Sequence, residues 1–216
     1  MPGTIGTLPR REALAFLSLF FVPGVAQAIL LTVVPLEALD LLGSARTVTL
    51  LYVETGLVAV AARFSIPYLV RLVRRRFVFT LGTLSLAVSS ILLAFNEVPA
   101  LAAGLVFSTF AFACIEITSQ LYLLDRVPRH ALKHFEPIRI FASAGPWTVG
   151  PWLGVYLQQT FAFAAPFGIA AGASLVLLIL FWLLRLGENA ALTSMRRLPP
   201  NPMRYRVASS PSLDRA

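Results

Sequence analysis

The 216 residues carry 57% hydrophobic and only 13% charged side chains, with a mean hydropathy of +0.78. A soluble domain averages about 45–50% apolar and about 25% charged residues, so most of this chain is excluded from water. The net charge of +8 would suggest a nucleic-acid partner in a soluble protein. Here the basic residues stand between apolar runs, where they act as topology signals, and no nucleic-acid partner is expected. The single cysteine, Cys114, excludes a disulfide framework and is interpreted as an apolar packing residue.

Six apolar runs have about the length needed to cross a bilayer as a helix. They cover residues 13–36, 47–70, 77–95, 99–124, 138–157 and 161–184. The predicted fold is therefore all-α, a polytopic membrane protein with six transmembrane helices. The first run follows two arginines like a signal peptide, but it is too long for a signal core and is interpreted as a retained span. The predicted connections are residues 37–46, 71–76, 96–98, 125–137 and 158–160.

Lysine and arginine are distributed very unevenly between the two ends of these runs. With the N-terminus in the cytoplasm, 16 of the 18 basic residues lie at cytoplasmic ends, while only Arg46 lies outside and Arg63 lies within a span. This asymmetry predicts that both termini are cytoplasmic. We therefore divide the chain into a cytoplasmic N-terminus at 1–12, a six-span domain at 13–187 and a polar, basic cytoplasmic linker or tail at 188–216. Compact loops and an Ala/Arg-rich composition suggest a bacterial inner membrane.

The fifth run contains the stretch GPWTVGPWLG, which is apolar yet repeatedly interrupted by glycine and proline. A broken helix is tolerated in lipid only where neighbouring helices or a cavity satisfy its backbone. Glycine also allows two helix backbones to approach closely. We predict a helix that bends and packs tightly against a partner through the following residues: Gly145, Pro146, Gly150, Pro151 and Gly154.

Six short-looped spans resemble the N-terminal half of a major facilitator superfamily transporter. Gly150, Pro151 and Gly154 match the Gly-Pro-x-x-Gly signature that many members carry in their fifth helix, although Pro146 stands where the family has a further glycine. The helix 1–2 connection is also similar, with Pro35 before a Gly-Ser turn at residues 43–44. The resemblance covers approximately residues 10–190.

The connection between the second and third runs resembles the basic motif of the same family. Arg71, Arg74 and Arg75 occupy its basic positions, and Arg76 extends the run. The aspartate of the motif is replaced by Val70, and both glycines are replaced as well. In the family this acid helps to latch two halves together, so the latch is not expected here in the same form.

The resemblance implies secondary transport of a small solute by alternating access, with proton coupling as one option. Family members are built from two six-helix halves, so we expect one half here, either truncated or needing a partner half. That partner is a separate second half or another copy of the chain in a homodimer. The other expected partners are the lipid bilayer and a small-molecule substrate, with no cofactor. The alternative function is a membrane scaffold or assembly protein that does not transport.

Ionisable side chains inside a span are costly and are candidates for function. Arg63 in the second run and Glu116 in the fourth lie at similar depth from the cytoplasmic side, given a rise of about 1.5 Å per residue. We predict that they form an ion pair, either static or gated. Glu54 points to the opposite face from Arg63 and either reaches the outer water or faces the path.

The family resemblance implies that helices 1, 2, 4 and 5 line the central path. Polar residues on these helices are then candidates for translocation or coupling, and each could equally make an interhelical hydrogen bond. The candidates are Gln27, Glu54, Arg63, Glu116, Gln120 and Ser143.

Enzymatic functions are disfavoured, and no metal site is expected. His130, His134 and Glu136 could share a helix face, but histidine-box oxygenases need many more histidines than the two in this chain. The chain lacks a Walker A sequence, and no predicted span contains a histidine. We interpret residues 125–137 as a solvated loop or a short interfacial helix.

Overall fold

A computed structural model describes residues 4–5, 8–126 and 129–183 of the chain. This part contains six helices: α1 (Arg10–Leu42), α2 (Ala45–Leu72), α3 (Arg75–Leu93), α4 (Val98–Arg126), α5 (Arg129–Thr160) and α6 (Ala165–Leu183). Two short strands, β1 (Thr4–Ile5) and β2 (Leu8–Pro9), pair antiparallel before α1. The predicted all-α helical bundle is confirmed. The predicted tail at 188–216 lies outside the described residues.

Five of the helices are long and apolar enough to cross a membrane. These segments are Leu17–Leu42, Ala45–Leu72, Arg75–Leu93, Val98–Asp125 and Ala165–Leu183. The helix that contains the predicted fifth span, α5, does not belong to this group. It includes Glu136, Arg139 and Thr148 together with several glycines and prolines, which lower its hydropathy. Membrane crossing by α5 therefore remains a prediction.

The helices extend further than the hydropathy pattern predicts. The expected connection at 37–46 is wrong, because α1 continues to Leu42 and only Gly43 and Ser44 separate it from α2. The intervening segment is rich in leucine, alanine and glutamate, which are strong helix formers. Gly43 has a φ of +62° and donates its N–H to the Leu39 carbonyl at 2.9 Å. This left-handed glycine terminates α1.

The expected connection at 125–137 is also wrong. Helix α4 continues to Arg126 and α5 begins at Arg129, so His130 and His134 lie in the first turns of α5 rather than in a loop or a separate interfacial helix. At the other end, α5 continues through Thr160 and thus includes the expected connection at 158–160. Hydropathy marks where a helix leaves the apolar layer, whereas the backbone hydrogen bonding continues into the polar flanks.

The core lies where α6 packs between α1 and α3, with α4 along α3 and α5 along α1. Phe181 of α6 stacks on Phe79 of α3 with ring centroids 4.1 Å apart, and meets the edge of Tyr122 of α4 at 5.6 Å. Helix α2 packs mainly against α4 and is the most peripheral helix. Only its residues Thr55, Ala62 and Ile66 are buried.

Helices α3 and α4 approach each other through small residues. A Cβ added to Gly82 would lie 2.8 Å from the Cβ of Cys114, and one added to Gly104 would lie 2.7 Å from the Leu93 side chain. The Ser89 hydroxyl donates to the Gly104 carbonyl at 2.7 Å. Cys114 is fully buried at this contact, in agreement with its interpretation as a packing residue.

Candidate functional site

A cavity of about 260 Å³ lies between α1, α2 and α4. Its walls are mostly apolar, and its polar lining groups come from all three helices. Gln27 belongs to α1, Thr55 and Arg63 to α2, and Ser108 and Thr109 to α4. The Thr55 and Ser108 hydroxyls donate to backbone carbonyls of their own helices. They are therefore satisfied within the bundle.

Arg63 of α2 and Glu116 of α4 form an ion pair, with Nη2 of Arg63 3.2 Å from Oε2 of Glu116. The predicted pairing is therefore confirmed. The side chains are 57% and 47% exposed within the protein, so neither charge is enclosed by the six helices. Arg63 lines the cavity, whereas Glu116 does not belong to the lining residues.

A second arginine interacts electrostatically with the same carboxylate. Glu116 attracts Arg139 of α5, which also binds Glu136 one turn earlier through two hydrogen bonds, one of them 3.0 Å long from Nε. The Arg139 guanidinium lies 4.9 Å from the ring centroid of Phe20 on α1. The hydrogen bond from Arg139 lowers the pKa of Glu136. The sequence identified Arg139 only as a topology signal, because which helices meet cannot be read from a hydropathy pattern.

The glycine-rich part of α5 lies directly against α1. A Cβ added to Gly150 would lie 2.5 Å from the Cβ of Ala28, and one added to Gly154 would lie 3.0 Å from Val33. Both glycines are buried. The sequence GPWTVGPWLG therefore permits close contact between two helix backbones.

The other residues of this stretch behave differently. A Cβ added to Gly145 would meet only Phe21, at an ordinary distance of 3.7 Å, whereas the Pro146 ring lies against Gly24 of α1. Pro146 and Pro151 lie inside one continuous helix. A proline inside a helix removes one backbone hydrogen bond, and the predicted bending role of these prolines stays a prediction.

The family model for the Major Facilitator Superfamily matches residues 15–209. The chain belongs to the major facilitator superfamily. No curated protein and no solved structure matches it. Members of this superfamily are secondary transporters rather than enzymes, and the chain is accordingly an integral membrane protein.

The remaining candidate path residues of this superfamily member occupy different surroundings. Gln27 lines the cavity, and its amide has no hydrogen-bond partner within the part of the chain that the structure describes. Glu54 and Gln120 are exposed and do not line this cavity. The Ser143 hydroxyl donates to the Ile140 carbonyl of its own helix at 2.9 Å. The structure brings Gln27, Arg63 and Glu116 into one region, and leaves the other three apart from the cavity.

The basic motif was predicted to lie in the connection, but Arg71 belongs to α2 and Arg75 and Arg76 to α3, so that Arg74 is the only one of these arginines between the helices. The motif contacts the end of α4. Arg75 forms an ion pair with Asp125, and Arg76 lies over the ring of Phe77 at 5.0 Å. Arg71 and Arg74 are exposed. The superfamily's basic motif here ties α3 to α4, a contact that its spacing alone did not predict.

Sequence reasoning missed a buried carboxylate at the other end of the bundle. Glu37 of α1 is only 4% exposed and accepts a hydrogen bond from the Gln158 amide of α5. Helical spacing could have revealed it, because Glu37 is four residues after the buried Val33 and eight after the buried Ile29. Assigning residue 37 to a connection hid this pattern.

Proposed function

We propose that the chain is one six-helix half of a secondary transporter that moves a small solute by alternating access in a bacterial inner membrane. The observation that carries the proposal is the ion pair of Arg63 and Glu116, which lies beside a cavity formed by α1, α2 and α4. Charged groups within membrane helices are costly, and they persist where they serve a transport path or a proton relay.

A proton on Glu116 would couple transport to the proton gradient. Protonation would remove the charge that holds Arg63 and thus the ion pair between α2 and α4. Deprotonation would restore that ion pair. Glu54 is the second candidate, because it is an exposed acid on α2 without a partner in the described residues. Membership of the superfamily supports transport, and the ion pair supports Glu116 as the coupling group.

A second six-helix unit would complete the path. The outward faces of α2 and α5 carry large apolar side chains with high exposure, such as Phe64 at 81% and Phe141 at 83%. A second half, either another chain or another copy of this one, would cover part of these faces. Light scattering of the purified protein, with the detergent contribution subtracted, separates a dimer from a monomer that needs a different partner.

The test is proton movement in liposomes that contain the protein and a trapped pH indicator. A panel of neutral, anionic and cationic small solutes is added outside, and the lumenal pH is followed. A solute whose addition changes the lumenal pH of liposomes with the wild-type protein should leave the lumenal pH unchanged in liposomes with Glu116→Gln. Glu97→Gln is the matched control, because Glu97 is an exposed acid in the turn before α4 and lies away from the cavity.

Glu54→Gln is measured in the same assay to assign the coupling group. Loss of coupling in Glu54→Gln with normal coupling in Glu116→Gln would transfer the role to Glu54. No solute-dependent flux from any solute, with dimer and monomer preparations alike, would favour a membrane scaffold instead.

A further inference from the structure

We propose that the cavity binds a small organic monoanion with an apolar body. The anionic group of this ligand pairs with Arg63 and displaces Glu116 from it. The inference rests on the proposed transport function and adds the class of its substrate. It concerns residues of this chain alone, so binding can be measured without a second half.

The geometry of the ion pair leaves Arg63 available to a ligand. A guanidinium has five N–H donors, and Arg63 uses one of them on a protein acceptor among the described residues. At 3.2 Å this contact is longer than the 2.7–2.9 Å typical of charge-assisted hydrogen bonds. Two parallel bonds to one carboxylate are the stronger arrangement. A ligand carboxylate that binds in this way would therefore compete well with Glu116.

The position of the charges favours an anion over a cation. Arg63 belongs to the cavity wall and Glu116 does not. A ligand in the cavity therefore meets the positive member of the pair first. A cationic ligand in the cavity would lie near the Arg63 guanidinium and would be repelled by it.

Further polar groups on the wall lack partners within the described residues. They are the Gln27 amide, the Tyr52 hydroxyl and the Thr109 hydroxyl. Such groups orient a ligand in a site whose remaining surface is apolar. The apolar surface comes from both sides, with Leu30 and Val34 on α1 and Phe112 on α4. An anion with a hydrophobic body fits a wall that has a few polar groups on a mostly apolar surface.

The size of the cavity limits the ligand. Because a water molecule occupies about 30 Å³ in the liquid, a volume of about 260 Å³ equals the space of roughly nine water molecules, which is room for a small organic acid. An aromatic or short branched monocarboxylate has this size. Benzoate is therefore a suitable probe, and benzamide and benzylammonium are its neutral and cationic counterparts of nearly the same shape.

Arg139 partly offsets the cost of the exchange. When a ligand pairs with Arg63, Glu116 keeps a weak electrostatic attraction to Arg139 on α5. The other charge near this group is Glu136, which is bound to Arg139. The four side chains carry two positive and two negative charges, so an added anion leaves one unbalanced negative charge. A proton on Glu116 would remove it, which connects anion binding with the proton coupling proposed above.

The experiment is calorimetric titration of the purified full chain in lipid nanodiscs with benzoate, benzamide and benzylammonium. We expect benzoate to bind at least about tenfold more tightly than benzamide, the difference that hydrogen bonds to a charged group produce. Benzylammonium should bind no better than benzamide. Equal binding of the three probes, tighter binding of the cation, or no binding of benzoate to the folded protein would overturn the proposal.

Variants identify the residue responsible. Glu116→Gln removes the competing carboxylate and should raise benzoate affinity severalfold. Arg63→Gln leaves Glu116 unpaired and is at risk of misfolding, so the double variant Arg63→Gln with Glu116→Gln is measured as well. Both variants that lack Arg63 should bind benzoate at least about tenfold more weakly than wild type and benzamide equally well. Arg46→Gln at the start of the same helix is the control for loss of a positive charge.

The results separate this inference from the transport proposal. Benzoate binding that requires Arg63 supports the anion site even where liposomes show no flux, and in that case the transport proposal fails alone. If a neutral or cationic solute is transported in a way that depends on Glu116 and benzoate does not bind, the transport proposal is supported. The proposal of an anion-binding site is then overturned. Benzoate binding that survives in the double variant also overturns it.

Discussion

A Cβ atom added to Gly150 of α5 would lie 2.5 Å from the Cβ of Ala28 of α1, which is closer than two carbon atoms can pack. The two helix backbones are therefore almost in contact at this level. Gly154 continues the contact one turn later against Val33. In lipid, where neighbouring helices gain nothing from excluding water, such close van der Waals packing is a main source of helix association.

Gly150→Ala should lower the thermal stability of the protein in detergent by roughly 5 °C. The reason is overpacking, which costs about 1–3 kcal/mol, and about 1 kcal/mol shifts the melting temperature of a chain of this size by about 2–4 °C. The control is Gly168→Ala on α6, where an added Cβ meets nothing within 4 Å. There alanine should be neutral or slightly stabilising, because it favours the helix more than glycine. Equal behaviour of the two variants would contradict the close contact.

Gln158→Ala should destabilise the protein, because it leaves the buried Glu37 carboxylate without its hydrogen-bond donor. An unsatisfied buried polar group costs about 1–3 kcal/mol. Gln159→Ala, one residue further along and exposed, is the matched control and should have little effect. A thermal-shift measurement on the two variants decides the matter. Restoration of stability by adding Glu37→Met to Gln158→Ala would show that the unpaired acid is the cause.

The pairing of Arg63 with Glu116 can be measured with a double-mutant cycle. Each single change to glutamine leaves one charge unpaired within a span, whereas the double change leaves none. We expect the double variant to be more stable than the sum of the single effects predicts, by about 1 kcal/mol or more. Ion pairs exposed to water usually contribute less than this. Additive single effects would indicate that water surrounds both groups and that the pair contributes little to stability.

Cys114 provides a chemical reporter of the α3–α4 contact. Its side chain is fully buried against Gly82, so a membrane-permeant maleimide should label the native protein very slowly. Gly82→Leu should separate the two helices and increase the labelling rate at least about tenfold, because the thiol then becomes accessible through local opening. Leu175→Ala on the exposed side of α6 is the control. Rapid labelling of the wild-type protein would show that α3 and α4 do not pack as closely as described.

Hydropathy alone identified the protein as a helical membrane protein. Long apolar runs with few charges can only be buried in lipid or in a bundle, and each of the six predicted runs lies largely within one of the six helices. Depth along a helix could also be estimated, since every residue rises by about the same distance. For that reason the partnership of Arg63 and Glu116 was predictable from two residue counts before any contact was known.

The ends of the helices were less predictable. Residues 37–42 continue α1 and residues 129–137 belong to α5, because backbone hydrogen bonding does not stop where side chains become polar. The error concealed Glu37, which the structure buries between α1 and α5. A carboxylate near a predicted loop does not indicate burial unless its helical register is also considered.

The sequence by itself determined the membrane setting, the six helices of the described residues, the close packing at Gly150 and Gly154 and the pairing of Arg63 with Glu116. Only the tertiary structure decided which helix faces meet, and with that the cavity, the electrostatic attraction between Arg139 and Glu116 and the contact between Glu37 and Gln158. The physical reason is that lipid and protein interior are both apolar. A membrane helix therefore carries little hydrophobic periodicity to set its rotation, and packing between small and large side chains decides it instead.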